Sequence, residues 1–263
     1  MMSVSQLLSC ISKQKDGQYI ARYNNFTLKS VFQPIYMQDL SIAGLEALIR
    51  ISSHKEGNIT PDYFFQSNNY SEQCQINVER LSRLIHIQNF GQSPFNSHKL
   101  FLNVLPKAAE LLAKENANSE LLSQTILQSG LTHKQIVMEL LELDASDEKF
   151  LYKATTKLSR DGFQIAIDDY GINASTRERV KSVKPDIIKI DRSLLVQYER
   201  GNSSGLMEAL SLAEQMHSQT VIEGIETKHQ LNLMRKIGFD MYQGYYLAMP
   251  NSLINNEVLT QAI

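Results

Sequence analysis

With 263 residues, 43% of them hydrophobic, the chain can bury a large core, enough for one α/β barrel of about 250 residues or two small domains. A formal net charge of −2 argues against a polyanion-binding surface, and two cysteines, Cys10 and Cys74, are too few for a disulfide framework and fit a reducing compartment. No export leader is read at the start and no apolar run approaches the ~18 residues of a membrane span, so a soluble, cytoplasmic protein that keeps off membranes is expected.

Residues 1–28 are a polar-apolar mixture and read as an N-terminal extension, with one or two amphipathic turns around Leu7, Leu8 and Ile11. The functional domain is expected over 29–263. Strand-like segments follow at 29–37, 45–51, 100–105, 136–141, 165–169, 187–191, 220–225 and 241–247. Helical periodicity lies between them, as in Val78-Leu81-Leu84-Ile85, Leu121-Ile126-Leu127, Leu206-Leu210-Ala213 and Leu231-Met234-Ile237. Gly130, Gly162 and Gly238 stand where three of these helices should stop. The basic clusters Arg177-Glu178-Arg179 and Arg235-Lys236 read as solvated helix faces.

Alternating strands and helices predict a parallel sheet with helical crossovers, and eight strands in this length predict an α/β fold closed as a TIM-like (β/α)8 barrel. One connection departs from the rule. The loop-like stretch 38–44 is too short for a helical crossover, so the first two strands should form an antiparallel hairpin.

Each predicted strand carries a polar residue among apolar ones: Gln33, Glu46, Asn103, Glu139, Asp168, Lys189, Glu223 and Gln243. Positions two away are mostly apolar, among them Ile35, Phe101, Val137, Ala166, Ile187, Val221 and Met241, and residues two apart on a strand face one side. An unpartnered buried polar group costs roughly 1–3 kcal/mol. Eight on one interior surface therefore make sense as a shared site at the carboxyl ends of the strands, where barrel enzymes work.

The charges within that ring narrow the chemistry. Glu46, Glu139, Asp168, Asp169 and Glu223 bring five carboxylates, against the cations Lys189 and Arg50. Asp168 and Asp169 are adjacent; at about 4 Å and an effective dielectric near 20 their repulsion is roughly 4 kcal/mol, so one is protonated or a cation is present. Alone, the pair would also suit a helix N-cap on a surface loop. Carboxylates plus the Asn103 amide oxygen are hard ligands, suited to Mg²⁺, Mn²⁺ or Ca²⁺ rather than a thiolate or imidazole zinc site. No histidine falls on a predicted strand, and His54, in the loop after the second, reads as a surface residue. No nucleophile elbow or Walker loop is present. Residues alone leave three chemistries open: two-metal phosphoester hydrolysis, a Mg²⁺-dependent enolising barrel with a lysine base, and a Schiff-base aldolase using Lys189. The acidic ring weighs against the last, because it would keep the lysine charged.

Read in order, the motifs resemble the EAL-domain phosphodiesterases, which hydrolyse cyclic di-GMP. Gln33-Pro34-Ile35 is similar to the family's opening motif, and Glu46-Ala47-Leu48-Ile49-Arg50 to the one that names it. Asn103 sits in a segment like the metal-binding asparagine strand, and Glu139-Leu140-Leu141-Glu142 resembles E-x-x-E. Asp168-Asp169-Tyr170-Gly171, Lys189-Ile190-Asp191, Glu223-Gly224-Ile225-Glu226 and Gln243-Gly244-Tyr245 resemble D-D-F-G, K-I-D, E-G-V-E and Q-G-Y.

The resemblance implies a barrel with an antiparallel first strand and two Mg²⁺ or Mn²⁺ ions activating water, with linear pGpG as product. It implies Glu46, Asn103, Glu139 and Asp168 around one ion and Asp168, Asp169 and Glu223 around the other. Lys189 would assist the attacking water, with metal-bound hydroxide as the favoured nucleophile and Glu223 as general base the alternative. Gln33, Leu48, Arg50 and Gln243 would place substrate, and Glu142, Asp191 and Glu226 would support the loop or the ligands. It also implies cyclic di-GMP as ligand, a possible homodimer, and no nucleic acid polymer as partner. The departure from the family lies after the Asp pair, where Ile172 and Asn173 replace Thr and Gly. That change keeps a second expectation open: a weak or inactive member that acts as a cyclic di-GMP receptor or protein-interaction module.

Overall fold

A computed structural model of the chain describes residues 2–105, 108, 116–140, 148–171 and 177–253. Among the described residues eleven strands form one sheet: β1 (Ile11–Lys13), β2 (Tyr19–Tyr23), β3 (Phe26–Met37), β4 (Ile42–Ser53), β5 (Gly57–Ile59), β6 (Lys99–Val104), β7 (Ile136–Leu140), β8 (Gln164–Tyr170), β9 (Ile187–Ile190), β10 (Gln219–Ile222) and β11 (Met241–Tyr242). The described helices are α1 (Val4–Ser9), α2 (Pro61–Gln66), α3 (Glu72–Gly91), α4 (Asn116–Gln128), α5 (Glu148–Arg160), α6 (Arg177–Val183), α7 (Arg192–Glu199), α8 (Ser204–Met216) and α9 (Lys228–Ile237).

The sheet runs β3-β11-β10-β9-β8-β7-β6-β4 and closes through β3 and β4 into a TIM-like barrel. All neighbours are parallel except β3, which is antiparallel to both β4 and β11. The short hairpin expected from residues 38–44 is therefore present, with Gln33 opposite Glu46. Gly130, Gly162 and Gly238 take positive φ of 73°, 93° and 101° just past α4, α5 and α9, the conformation a helix-ending glycine supplies at no steric cost.

Barrel closure follows from the period-two pattern. Phe101, Val137, Ala166, Ile187, Val221 and Met241 lie two residues before the polar position of their strands and pack together inside the barrel with Ile35. Ile35 comes two residues after Gln33 because its strand runs the other way, so the same layer is met from the opposite end. The eighth position, two before Glu46, is Gly44. A Cβ there would stand 2.7 Å from the Phe101 ring and 2.7 Å from the Lys99 carbonyl oxygen, so the phenylalanine fills the space that a side chain would need. The outer faces of the strands bury Leu100, Leu102, Ile136, Met138 and Ile165 in one cluster and Ile188, Ile190, Ile222 and Tyr242 in another, under the surrounding helices. No described helix is long and apolar enough to cross a membrane.

Besides the unexpected β5 and the earlier end of β10 at Ile222, the main differences from the sequence reading lie at the first and last strands of the chain. The amphipathic turn around Leu7 is α1, with Leu7 fully buried, but residues 11–23 also form β1 and β2, which continue the sheet onto β3. β3 begins at Phe26, so the boundary expected at residue 28 falls inside a strand. Short polar strands such as Ile11–Lys13 carry too little period to be read unaided. The last strand ends at Tyr242 instead of residue 247. Gly244 lies so close to Ile225 that an added Cβ would come within 2.2 Å of its backbone N and O, and the chain turns there.

Candidate metal and active centre at the barrel mouth

A second layer, polar instead of apolar, sits directly above the apolar one at the carboxyl ends of the parallel strands. At its middle is Lys189 on β9, 1% exposed. Its Nζ lies 2.8 Å from Glu139 Oε1, 2.8 Å from Glu223 Oε1, 2.9 Å from Asp168 Oδ1 and 3.5 Å from Glu46 Oε2. Glu46 is gripped from two further sides: Asn103 Nδ2 donates to its Oε1 at 3.1 Å and Gln243 Nε2 to its Oε2 at 2.7 Å. Gln33 Nε2 donates instead to the Ala248 carbonyl at 3.1 Å, pinning the returning chain to β3.

Neighbouring strand residues normally face opposite sides, yet Asp168 and Asp169 share one site. The β8–β9 register shifts between Ile167 and Tyr170, and Asp169 takes φ of 51°. Aspartate tolerates that left-handed conformation better than most residues, so the irregularity turns both carboxylates inward. Glu223, just past the end of β10, donates its backbone N–H to the Ile190 carbonyl at 3.0 Å, which brings it to the same place. Asp168, Asp169 and Glu223 each offer one oxygen within 4.8 Å of the others.

The acids share the ammonium unequally. Burial would raise Glu46, but Lys189, Gln243 and Asn103 together hold its pKa below the usual carboxylate range. Burial pushes Glu139 and Glu223 well above that range, Lys189 offsetting only part of it while neighbouring acids add to it. Lys189 itself rises well above the ordinary lysine value, because its four acidic partners outweigh the burial that would lower it. One ammonium thus stands against four carboxylates, and burial together with mutual repulsion disfavours their anionic forms. Glu139 Oε2 is buried with no hydrogen-bond partner. A buried oxygen without a donor, beside hard oxygen ligands at cluster spacing, fits a divalent cation of the Mg²⁺, Mn²⁺ or Ca²⁺ type.

Two adjoining clefts open over this ring. The larger, about 610 Å³, is lined by Gln33, Glu46, Leu48, Arg50, Asn103, Asp168 and Asp169, and extends to α2 and α3. The smaller, about 310 Å³, reaches Glu46, Asp191, Glu223, Glu226 and Gln243. Gln33, Glu46 and Tyr245 border both, and Tyr245 is 59% exposed between them. Asp191 caps α7, accepting from Ser193 N–H at 2.6 Å, and Glu226 pairs with Arg192 at the surface. Arg50 donates to its neighbour's carbonyl, Ile49 O, at 3.1 Å, and is exposed to the larger cleft. Every sequence-predicted site residue within the described region thus borders one of the two clefts or packs into the polar ring. Glu142, Ile172 and Asn173 lie outside the described residues.

Residues on α3 that the sequence reading did not single out also line the larger cleft: Glu79, Ser82, Arg83 and His86. His86 is buried, with Nδ1 2.8 Å from Ser30 Oγ. Burial, aided by the nearby Arg50 charge, lowers its pKa from 6.5 to about 3. A depressed value means that its stabilising share is complete above the unfolded-state 6.5 and is lost as pH falls toward 3. The stability difference between the parent and His86→Gln, measured by urea unfolding, should therefore move against the parent by about 1.4 kcal/mol per pH unit across that window. A pH-independent difference would show that His86 is already charged or solvated.

Comparison with known proteins places these motifs in context. Residues 20–250 match the family model described as the EAL domain. The probable cyclic di-GMP phosphodiesterase PdeN of Escherichia coli (strain K12) is 30% identical over 227 residues, which is 83% of this chain and 42% of that protein. The chain thus spans less than half the length of that relative. A standalone versatile EAL protein from Vibrio cholerae O395, in its c-di-GMP-bound form, superposes with a TM-score of 0.76 at 22% identity, over 90% of this chain and 99% of that one. The Bacillus subtilis YkuI protein, with an EAL domain and in complex with substrate c-di-GMP and calcium, gives 0.75 at 23% identity over 86% of this chain and 56% of that one. At these identities the structural likeness is one of fold.

Proposed function

The chain belongs to the EAL domain family, and from that membership we propose that it hydrolyses cyclic di-GMP to linear pGpG with the aid of two divalent ions, Mg²⁺ or Mn²⁺. The observation that carries the reading is the ring of Glu46, Glu139, Asp168 and Glu223 closed on a single buried lysine, with Asp169 turned in beside it. Its donors fit Glu46, Asn103, Glu139 and Asp168 for one ion and Asp168, Asp169 and Glu223 for the other. When bound, the ions would supply Lewis-acid polarisation of the phosphoryl oxygens and a lowered pKa for water.

The side chains have distinct tasks in this scheme. Water adds to phosphorus, the bond from phosphorus to the 3′ oxygen breaks, and the opened ring keeps a 5′ phosphate. Glu223, at the rim and partly exposed, accepts the proton lost by the water, and the departing 3′ oxygen takes a proton from solvent to become a hydroxyl. Lys189, held against the acids, orients that water and stabilises negative charge on phosphoryl oxygen. Leu48 and Arg50 line the larger cleft beside the ring, the arginine offering its guanidinium to phosphate. Gln243 and Asn103 fix the rotamer of Glu46, and Gln33 holds the wall shared by the two clefts.

Purified protein supplied with cyclic di-GMP and either Mg²⁺ or Mn²⁺ should release pGpG, followed by chromatography. Absence of product with both ions, alongside an active EAL enzyme, would overturn the hydrolase reading; retained nucleotide binding in that case would favour a receptor.

A further inference from the structure

Helix α3 buries an unusual number of polar side chains, and most have an evident partner. Asn77 donates to the Tyr23 hydroxyl at 3.0 Å, Arg80 to the Met2 carbonyl at 3.2 Å, and Asn89 to the Tyr19 carbonyl at 2.8 Å. Glu79 and Arg83 are different. They pair with each other at 3.0 Å with side chains only 6% and 5% exposed, and each keeps one buried polar atom, Glu79 Oε1 and Arg83 Nη1, without a hydrogen-bond partner. A buried ion pair seldom repays its own desolvation, and each unsatisfied atom adds a further cost. Packing therefore does not account for the pair. Both residues border the larger cleft, the one that Glu46, Asn103, Asp168 and Asp169 also line, and Phe65 stands in the same wall.

What remains is one unpartnered acceptor and one unpartnered donor, carried by the two members of an ion pair, in the lining of the cleft that the acidic ring also lines. The complement is a planar ligand edge with a donor beside an acceptor. A guanine presents N1–H and N2–H next to O6, whereas adenine offers an acceptor at N1 beside a donor at N6, the reversed order. Resting on the proposed cyclic di-GMP reading, we infer that Glu79 and Arg83 form a base-reading station: Glu79 Oε1 accepts from N1–H and N2–H of one guanine, and Arg83 Nη1 donates to its O6. A site built for such a pattern rejects a base lacking it, because its buried groups would stay unpaired.

The test is binding without turnover, by calorimetry in Ca²⁺ at about pH 8, above the value near 7 to which burial pushes Glu79 despite Arg83 and Arg80. Arg83→Met alone would strand the Glu79 charge, so the informative variant is Glu79→Gln with Arg83→Met, which leaves neither charge of the pair without its partner, Arg80 keeping its bond to the Met2 carbonyl. It should weaken cyclic di-GMP binding by about tenfold or more while leaving cyclic di-AMP binding unchanged or improved. A merely structural pair would weaken both nucleotides alike; that result, or no change in either, overturns the station. If the parent binds cyclic di-GMP with the expected preference but never hydrolyses it, the station stands and the hydrolase reading fails. If the parent binds neither nucleotide, both fall.

Discussion

Asp168→Asn should lower cyclic di-GMP hydrolysis by about a thousandfold or more while leaving the barrel folded. Asp168 is the one residue in both proposed ligand sets, so its loss touches each ion at once. The exchange keeps the volume of the side chain and removes one negative charge from the crowd around Lys189. Since adjacent acids repel, the metal-free variant is expected to melt no lower than the parent. Glu46 is a less clean target, because Asn103 and Gln243 both donate to it and would lose their acceptor. Thermal unfolding in a chelator together with product release under Mg²⁺ or Mn²⁺ would check both halves. A variant within tenfold of parental turnover would refute the assignment of Asp168 to the metals.

Lys189→Met carries the second large effect, and it falls on stability. In the metal-free protein Lys189 is the cation on which four acids converge, and removing one partner of a buried ionic group typically costs about 3–5 kcal/mol. Protons can replace the ammonium on Glu139 and Glu223, whose pKa values already stand high, so the loss should be greatest at neutral to alkaline pH and shrink on acidification. Divalent ions should restore more stability to the variant than to the parent, because they enter a ring that has lost its own positive charge. Equal stability of the two chelated proteins at neutral pH, with no larger response of the variant to Mn²⁺, would mean that the acids are not held together by charge.

The barrel was legible because its period is simple. Phe101, Val137, Ala166, Ile187, Val221 and Met241 alternate with Asn103, Glu139, Asp168, Lys189, Glu223 and Gln243, and two residues of spacing separate the core layer from the mouth. The reversal of the first strand was equally plain from the short link at 38–44. Glu79 and Arg83 were not legible. Spaced four apart on a helix, an acid and a base ordinarily announce a solvated surface pair. Here β2, β3 and the N-terminal residues lie over α3, with Asn89 bound to Tyr19 and Arg80 to Met2, and no local pattern reports that cover. Asp169 was counted among the acids, but its left-handed backbone was not legible: period two would send it away from Asp168, and only the register break in β8 reverses that.

The pairing of β3 with β11 has a mechanical corollary. β4 gives β3 a twelve-residue flank, while β11 gives it two residues, Met241 and Tyr242, before Asn251 rejoins it opposite Phe32. β10 likewise pairs with β11 through those two residues, so the hoop has one thin stave, and segments with few backbone hydrogen bonds are where local opening is cheapest. That stave lies next to Gln33 and Gln243, where the two clefts meet. Opening there would loosen the rim that the two clefts share while the long β3–β4 ladder stays closed.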